Sequence, residues 1–205
     1  MVVRNVMFYE EGGSEHTDET IDLTIKAAKE LGINKILVAS TSGASGVKMA
    51  EKAEGSSLEV IVVGHQFGFR TPGKSLFMEV NVERLADLGA KVCLGSDVLT
   101  NSIRQRERLG HSPISVITQT LIMAKIKVNV EVVVKAADAG LVMPGERVIS
   151  VAGSHEGLDT SIVLEARDSV SILDIRTREI IVMPLSRKKA DEDYLRKRKA
   201  MARAS

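Results

Sequence analysis

The chain has 205 residues, of which 44% are hydrophobic and 27% charged, the balance of an ordinary globular protein with room for one sizeable core. Aromatics make up only 3% and Trp is absent, so the core has to be built from Val, Ile, Leu, Ala and Met. The single cysteine excludes an internal disulfide. The net charge of +1 excludes the strongly basic body of a general nucleic-acid binder.

Cys93 lies in the apolar run 90–94 and reads as a buried core thiol. No apolar run approaches the roughly 18 residues needed to span a bilayer, so no membrane partner is expected. The N-terminus carries Arg4, Glu10 and Glu11 and shows no signal-peptide pattern; the chain reads as cytoplasmic. Charge is uneven. Residues 185–205 hold eight Lys/Arg and three acidic residues, +5 in all, which leaves about −4 on the body. The expected organisation is therefore a single α/β ligand-binding domain over 1–184 and a basic C-terminal tail over 185–205. The tail reads as a solvated helix with Asp191, Glu192 and Asp193 at its start and the cluster 196–199 after them, as the helix dipole prefers. Few aromatics interleave with this charge, which argues against specific nucleic-acid binding.

Strand-like and helix-like segments alternate along the body, the pattern of a parallel sheet with crossover helices. A short strand over 2–8 ends at Gly12 and Gly13. Thr17 can cap a helix whose apolar positions Ile21, Ile25, Ala28 and Leu31 recur at helical spacing, with Gly32 placed as its C-cap. Lys35 to Ala39 reads as a buried strand and Ala44 to Ala53 as a helix. A strand over 58–63 leads into a long loop over 64–75. Met78, Val82, Leu85 and Leu88 mark one face of a helix ending at Gly89. Residues 91–94 form the next strand; 100–113 is polar and fits no element. Residues 114–139 read as helix, in one or two pieces, although the alternation Ile126, Val128, Val130, Val132 also fits a strand. Strands follow over 147–152 and 161–166, then two more over 171–175 and 179–183, turning about Arg176 and Thr177.

The most informative local feature is Ser40-Thr41-Ser42-Gly43-Ala44-Ser45-Gly46, between a buried strand and a helix. Its hydroxyls and backbone amides, at a helix N-terminus, suit an anion such as phosphate. Three more loops start with glycine after a strand: Gly64-His65-Gln66, Gly95-Ser96-Asp97 and Gly153-Ser154-His155. Parallel strands bring all four loops to one edge, where open α/β sheets bind ligands. His65 and His155 are then the candidate acid–base groups, ahead of His16 and His111. Residues 68–75, Gly68-Phe69-Arg70-Thr71-Pro72-Gly73-Lys74-Ser75, match the G-x-x-x-x-G-K-[ST] nucleotide loop formally. The match starts four residues beyond Gly64, and Pro72 offers no amide, so a mobile flap is the competing reading. One Cys and four scattered His give no zinc spacing, so no metal is expected.

Ile36-Leu37-Val38-Ala39 followed by Ser40-Thr41-Ser42-Gly43-Ala44-Ser45 resembles the first βα unit of the C-terminal domain of pyruvate kinase. The run Ala136-Ala137-Asp138-Ala139-Gly140-Leu141-Val142, continuing through Pro144-Gly145-Glu146-Arg147-Val148-Ile149 to Val151-Ala152-Gly153, resembles a later part of that domain. Asp159-Thr160-Ser161-Ile162 stands where the domain has its closing Thr-rich turn and strand. The resemblance covers about 17–166. It implies a three-layer α/β sandwich with a mainly parallel sheet and a C-terminal β-hairpin. It also implies that Ser40, Thr41, Ser42, Gly43 and Ser45 hold a phosphate. The family's catalytic barrel does not fit in a chain of this length, so its phosphotransfer chemistry is not carried over. The insert from Phe67-Gly68-Phe69 through Pro72-Gly73 is foreign to the kinase domain. It looks like stand-alone archaeal proteins of this type, for which the resemblance implies flavin mononucleotide (FMN).

The expected ligand is a small phosphorylated molecule, FMN first. Its site comprises Ser40, Thr41, Ser42, Gly43, Ser45, Gly46, Gly64, His65, Gln66, Gly68, Phe69, Gly95, Ser96, Gly153 and Thr160. The alternatives are a non-catalytic sensor of a sugar phosphate, a sugar-phosphate isomerase and a nucleotide-binding loop. Whether the chain is an enzyme is left open, and so is its oligomeric state, self-association being one way to cover exposed strand edges.

Overall fold

In the computed structural model, residues 3–99 and 113–186 are described. The basic tail from 187 onward, most of the polar stretch 100–113 and His111 lie outside the described residues. The chain order is β1 (Met7–Glu11), α1 (Thr17–Leu31), β2 (Lys35–Ala39), α2 (Ala44–Ala53), β3 (Glu59–His65), α3 (Glu79–Asp87) and β4 (Lys91–Gly95). Then come α4 (Pro113–Met123), α5 (Lys127–Asp138), β5 (Arg147–Ala152), β6 (Thr160–Glu165) and β7 (Arg176–Ser186). The seven strands form one sheet in the order β1-β7-β6-β5-β2-β3-β4. Every neighbouring pair is parallel except the two that involve β6.

Period-two alternation in the strands sorts side chains to two faces. Ile36, Val38, Val60 and Val62 face one core, with Ile21 and Ala28 of α1, Met49 of α2 and Leu85 of α3. Leu37, Ile61 and Val63 face the other, with Cys93 and with Val130, Val133 and Val134 of α5. Helices thus cover both faces, giving a three-layer sandwich. Cys93 is buried, as read from its apolar run, and burial pushes its thiol pKa up.

α1 ends as Gly32 predicts. The glycine sits at φ +63°, and the Ile33 amide donates to the Ala28 carbonyl, closing a left-handed cap. Its start differs from expectation. Thr17 is the first helical residue and not the cap; its hydroxyl donates to Ser14 O (2.6 Å) and accepts from the Leu158 amide (3.1 Å). α1 therefore buries a threonine stripe, Thr17, Thr20 and Thr24, beside Ile21 and Ala28. Thr24 donates to Ser161 Oγ (2.8 Å), and Thr20 shares a 3.1 Å hydrogen bond with Tyr9.

The alternating valines after Ile126 are helical. Lys125, at φ +60°, separates α4 from α5, and Val130, Val132, Val133 and Val134 are all buried. A helix pressed against the sheet buries most of its circumference, and this erases the amphipathic signal. The expected hairpin about Arg176 and Thr177 is not formed. Residues Ile172–Asp174 make a 3₁₀ turn, and β7 is a single long strand. The C-terminal hairpin is instead β6 with β7, and it contains register shifts at 161/162 and 163/164.

Helix α2 packs on β3 through Gly46. A Cβ there would lie 2.4 Å from Val62 Cγ1. Gly46→Ala should push helix and strand apart and cost about 1–3 kcal/mol, read as a lower urea midpoint with an unchanged slope.

Candidate functional site

The carboxyl ends of β2, β3, β4 and β5 lie along one edge. Ala39 pairs with Val63 and Val38 with Val151, so the next residues out form a row: Gly153, Ser40 and Gly64. Gly64 pairs in turn with Leu94, and His65 with Gly95. Neighbours in such a row stand about 5 Å apart. The edge includes the boundary between β2 and β5. There α2 leaves toward one face, while α5, which leads into β5, lies on the other, the place where open α/β sheets leave a crevice.

The serine-rich loop is built by three contacts. The Ser40 amide donates to Val63 O (3.0 Å), and Ser40 Oγ accepts from the Gly43 amide (3.1 Å). Gly43 takes φ +97° to start α2 and brings no capping side chain, while Ser42 Oγ accepts from the Ala44 amide (3.4 Å). The loop is clamped from α3: the Met78 amide (3.0 Å) and Asn81 Nδ2 (2.9 Å) both donate to Ser42 O. A Cβ on Gly43 would lie 2.7 Å from both Asn81 and Phe77, and one on Gly64 would meet Leu94 and Phe77. Gly43, Gly46 and Gly64 are thus required by packing within the chain. Ser40 is buried, with its hydroxyl in the turn. Thr41 is exposed, and Ser42 and Ser45 are half-buried beside the helix start.

Beside this loop stands a buried charged cluster. Lys135 Nζ donates to Asp97 Oδ1 (3.0 Å) and to Gly64 O (2.5 Å). His65 Nδ1 lies 3.3 Å from Asp97 Oδ2. The side chains of Asp97 and Lys135 are each only 5% exposed. Burial, the largest influence on Asp97, raises its pKa. The His65 hydrogen bond and the Lys135 charge outweigh it and hold the carboxyl at about 2. One turn back on α5, Glu131 accepts from the Leu99 amide (3.0 Å) and pairs with Lys127 (2.8 Å). Phe69 stacks on His65, with ring centroids 3.9 Å apart. Gln66 is half-buried and presents a buried Oε1 without a protein partner.

A small pocket, about 40 Å³, opens where β5 ends and α5 begins. Its polar wall is Lys125, Lys127, Asn129, Gly153, Ser154 and Thr160. Asn129 donates from Nδ2 to Ser150 O (2.9 Å), while its Oδ1 is buried with no protein partner. Thr160 is buried, with its hydroxyl on Asp159 (2.8 Å), and Asp159 also accepts from the Ser154 amide (3.0 Å).

The expected site residues therefore fall into three neighbouring groups. Ser40, Thr41, Ser42, Gly43, Ser45 and Gly46 share the loop at α2. Gly64, His65, Gln66, Phe69, Gly95 and Ser96 surround or flank the charged cluster. Gly153 and Thr160 line the pocket. Gly68 belongs to a self-closed turn, where its amide donates to Lys74 O (2.9 Å) and the Lys74 amide to Thr71 O (3.1 Å). That turn ends before α3, which starts only at Glu79, so the 68–75 match is not a strand–loop–helix phosphate cradle. His155 is exposed on its loop, and His16 stacks on Tyr9. Lys135, Glu131, Asn129 and Lys127 were not picked out by the sequence reading. Their signal is the spacing 127, 131, 135: charges four apart inside a valine-rich run, which a buried helix carries only when they are paired.

The pair of Asp97 and Lys135 is open to a direct check. Lys135→Met alone leaves a buried carboxylate unpaired and should cost about 3–5 kcal/mol; the double variant Asp97→Asn/Lys135→Met should cost less than either change predicts by addition. Asp97 titrates lower in the fold than its ordinary 3.8. Its contribution is therefore present above about pH 4 and lost as pH falls toward 2. Urea midpoints should fall across that window in the wild type and fall less in the double variant.

No helix among the described residues is long and apolar enough to cross a membrane. Two pyruvate kinase structures from Cryptosporidium parvum are similar to this chain. One aligns at 14% identity over 74% of this chain and 23% of that one, with a TM-score of 0.38. The other, in complex with ADP, aligns at 11% identity over 82% and 24%, with a TM-score of 0.37. The chain spans about a quarter of the length of these enzymes. The family model described as pyruvate kinase, alpha/beta domain, matches residues 18–164. That match takes in α1 through β6 and every element of the candidate site, and the chain belongs to the pyruvate kinase alpha/beta domain family.

Proposed function

We propose that the chain binds a phosphate-bearing small molecule at the carboxyl edge of its sheet, with FMN as the leading ligand. The observation that carries this reading is the glycine-led start of α2, level with Gly153 and Gly64 at the boundary between strands β2 and β5. The phosphate rests on the first-turn amides of α2 with the hydroxyls of Thr41, Ser42 and Ser45. Ser40 shapes the turn and does not reach the ligand. Bound FMN supplies redox chemistry, and the chain supplies the phosphate anchor and the walls of the crevice. The stand-alone archaeal proteins that the 67–73 insert resembles support the flavin in particular.

The small pocket favours a second reading, a sensor for a sugar phosphate. It is too small for a ring system, and its orphaned Asn129 oxygen suits a hydroxyl, beside Lys125 and Lys127, which are held by the Pro184 carbonyl and Glu131.

Titration of the full chain with FMN, followed in the visible spectrum, decides between the two. A shifted flavin spectrum that saturates supports FMN. An unchanged spectrum, with thermal stabilisation by sugar phosphates alone, moves the assignment to the sensor. In either case Ser42→Ala/Ser45→Ala should weaken binding about 10- to 100-fold, the effect of losing charge-assisted hydrogen bonds worth roughly 1.5–3 kcal/mol. Unchanged affinity would remove the loop from the site.

A further inference from the structure

The sheet ends on one side at β1, and no described strand pairs with its outer edge. An open edge offers a row of backbone N–H and C=O groups to any matching strand, and soluble proteins usually blunt it with lysine, proline or a covering loop. β1 carries neither lysine nor proline: residues 5–9 read Asn-Val-Met-Phe-Tyr. Tyr9 is buried against α1, where its hydroxyl meets Thr20. Side chains alternate along a strand, so Phe8 turns to the opposite face, beside Met183, its partner in register. That face is bare: Phe8 is 50% exposed, Val6 37% and Leu185 61%. The residues before β1 stay in line with β7. Arg4 Nε lies 3.7 Å from Glu179, and Glu179 precedes Val182 by three residues as Arg4 precedes Met7, the partner of Val182.

The charges along this segment are complementary to themselves. Antiparallel pairing of two identical strands about a two-fold axis normal to the sheet sets residues of one face opposite each other. With Met7 on the axis, Val6 of each copy meets Phe8 of the other, and Arg4 meets Glu10. An axis at Phe8 would set Val6 opposite Glu10 and Arg4 opposite Gly12; an axis at Val6 would set Arg4 opposite Phe8. Parallel pairing would bring each charge beside its own kind. Glu10 is exposed and has no ion-pair partner among the described residues. Arg4 holds only the exposed contact with Glu179, and its guanidinium has further N–H groups to give. The other end of the sheet, β4, lacks such a pattern. Its one charge, Lys91, is held by Glu59, and self-pairing about Cys93 would set it opposite Gly95.

We propose that β1 is a dimer interface: two copies of this chain pair antiparallel through residues 4–10, and their sheets run on as one about a two-fold axis at Met7. The pairing engages the open backbone groups, covers Val6 and Phe8 with each other, and ends at each side on a pair of Arg4 and Glu10. An isologous contact of this kind closes on itself and does not propagate. The strands of the two copies run in opposite directions. The two carboxyl edges therefore point away from each other, and each candidate site stays open. The interface stands apart from the ligand reading, and neither depends on the other.

Sedimentation equilibrium of the full chain over a dilution series should show a species of twice 22.2 kDa. Phe8→Lys changes a half-exposed side chain; it should keep the circular dichroism of the wild type and give a monomer. Arg4→Glu alone sets carboxylates opposite Glu10, and Glu10→Arg alone sets guanidiniums opposite Arg4; each should weaken the dimer about 10-fold or more. Mixed together, these two variants should recover the dimer mass at near wild-type affinity, because every pair across the axis is again of opposite sign. A wild type that stays monomeric at every concentration overturns the interface. So does a dimer that persists in Phe8→Lys and in both charge variants, or a mixture of the two charge variants that associates as weakly as each alone.

Discussion

The buried pair of Lys135 and Asp97 is the interaction on which the carboxyl edge of this sheet depends. Lys135 reaches from α5 to the loop after β4 and to the Gly64 carbonyl near the end of β3. An ammonium with only 5% of its side chain exposed would be costly alone. It is tolerated because a carboxylate and a carbonyl take two of its three hydrogens. The same contact fixes where Asp97 stands, 3.3 Å from His65 Nδ1. One ion pair therefore joins helix, two strands and the imidazole. Such pairs add little stability relative to apolar residues of equal size, so their effect is better understood as placing groups than as holding the fold. The apolar cores on the two faces of the sheet do the holding.

The glycines of the edge follow from the same crowding. Where α2 and α3 meet β3, Phe77, Asn81 and Val62 occupy the space that side chains at 43, 46 and 64 would take. A glycine-and-serine loop after a strand is usually taken as a sign of ligand approach. Here it first reflects close packing of protein on protein: Ser40 Oγ and Ser42 Oγ accept from the Gly43 and Ala44 amides, and Gly43 starts α2 without a capping side chain of its own. The loop after β5 is packed likewise. A Cβ on Gly157 would meet Thr17 and Ser14, so the start of α1 is seated on it.

The sequence was legible where local chemistry decides the structure. Gly32 marks the end of α1, and alternating helix and strand patterns imply a parallel sheet with its loops at one edge. It was misleading where tertiary contact overrides the local pattern. The valines after Ile126 alternate like a strand, yet α5 is helical because one side packs on the sheet and buried pairs satisfy its charges. Thr17 has the composition of a cap, yet its hydroxyl serves Ser14 and Leu158, and the latter is 141 residues away. The turn expected at Arg176 was drawn from two short apolar runs. β7 passes through it because β6 pairs with it from Arg176 to Val182 and β1 takes over from Val182 to Ser186. The site was legible as a list of loops. Its charged centre was not, because Lys135 and Asp97 are 38 residues apart and neither carries a recognisable motif.

The arrangement at the edge also keeps the charged pair apart from the serine turn. Side chains alternate along β3, so a Cβ on Gly64 would turn toward Phe77 and Leu94, while His65 turns to the face of α5, where Asp97 and Lys135 stand. Lys135 donates to Gly64 O, so the backbone of β3 stands between the pair and the Ser40 turn. A lysine already held by a carboxylate and a carbonyl leaves the start of α2 to its own electrostatic surroundings, and the sheet keeps the two in neighbouring places.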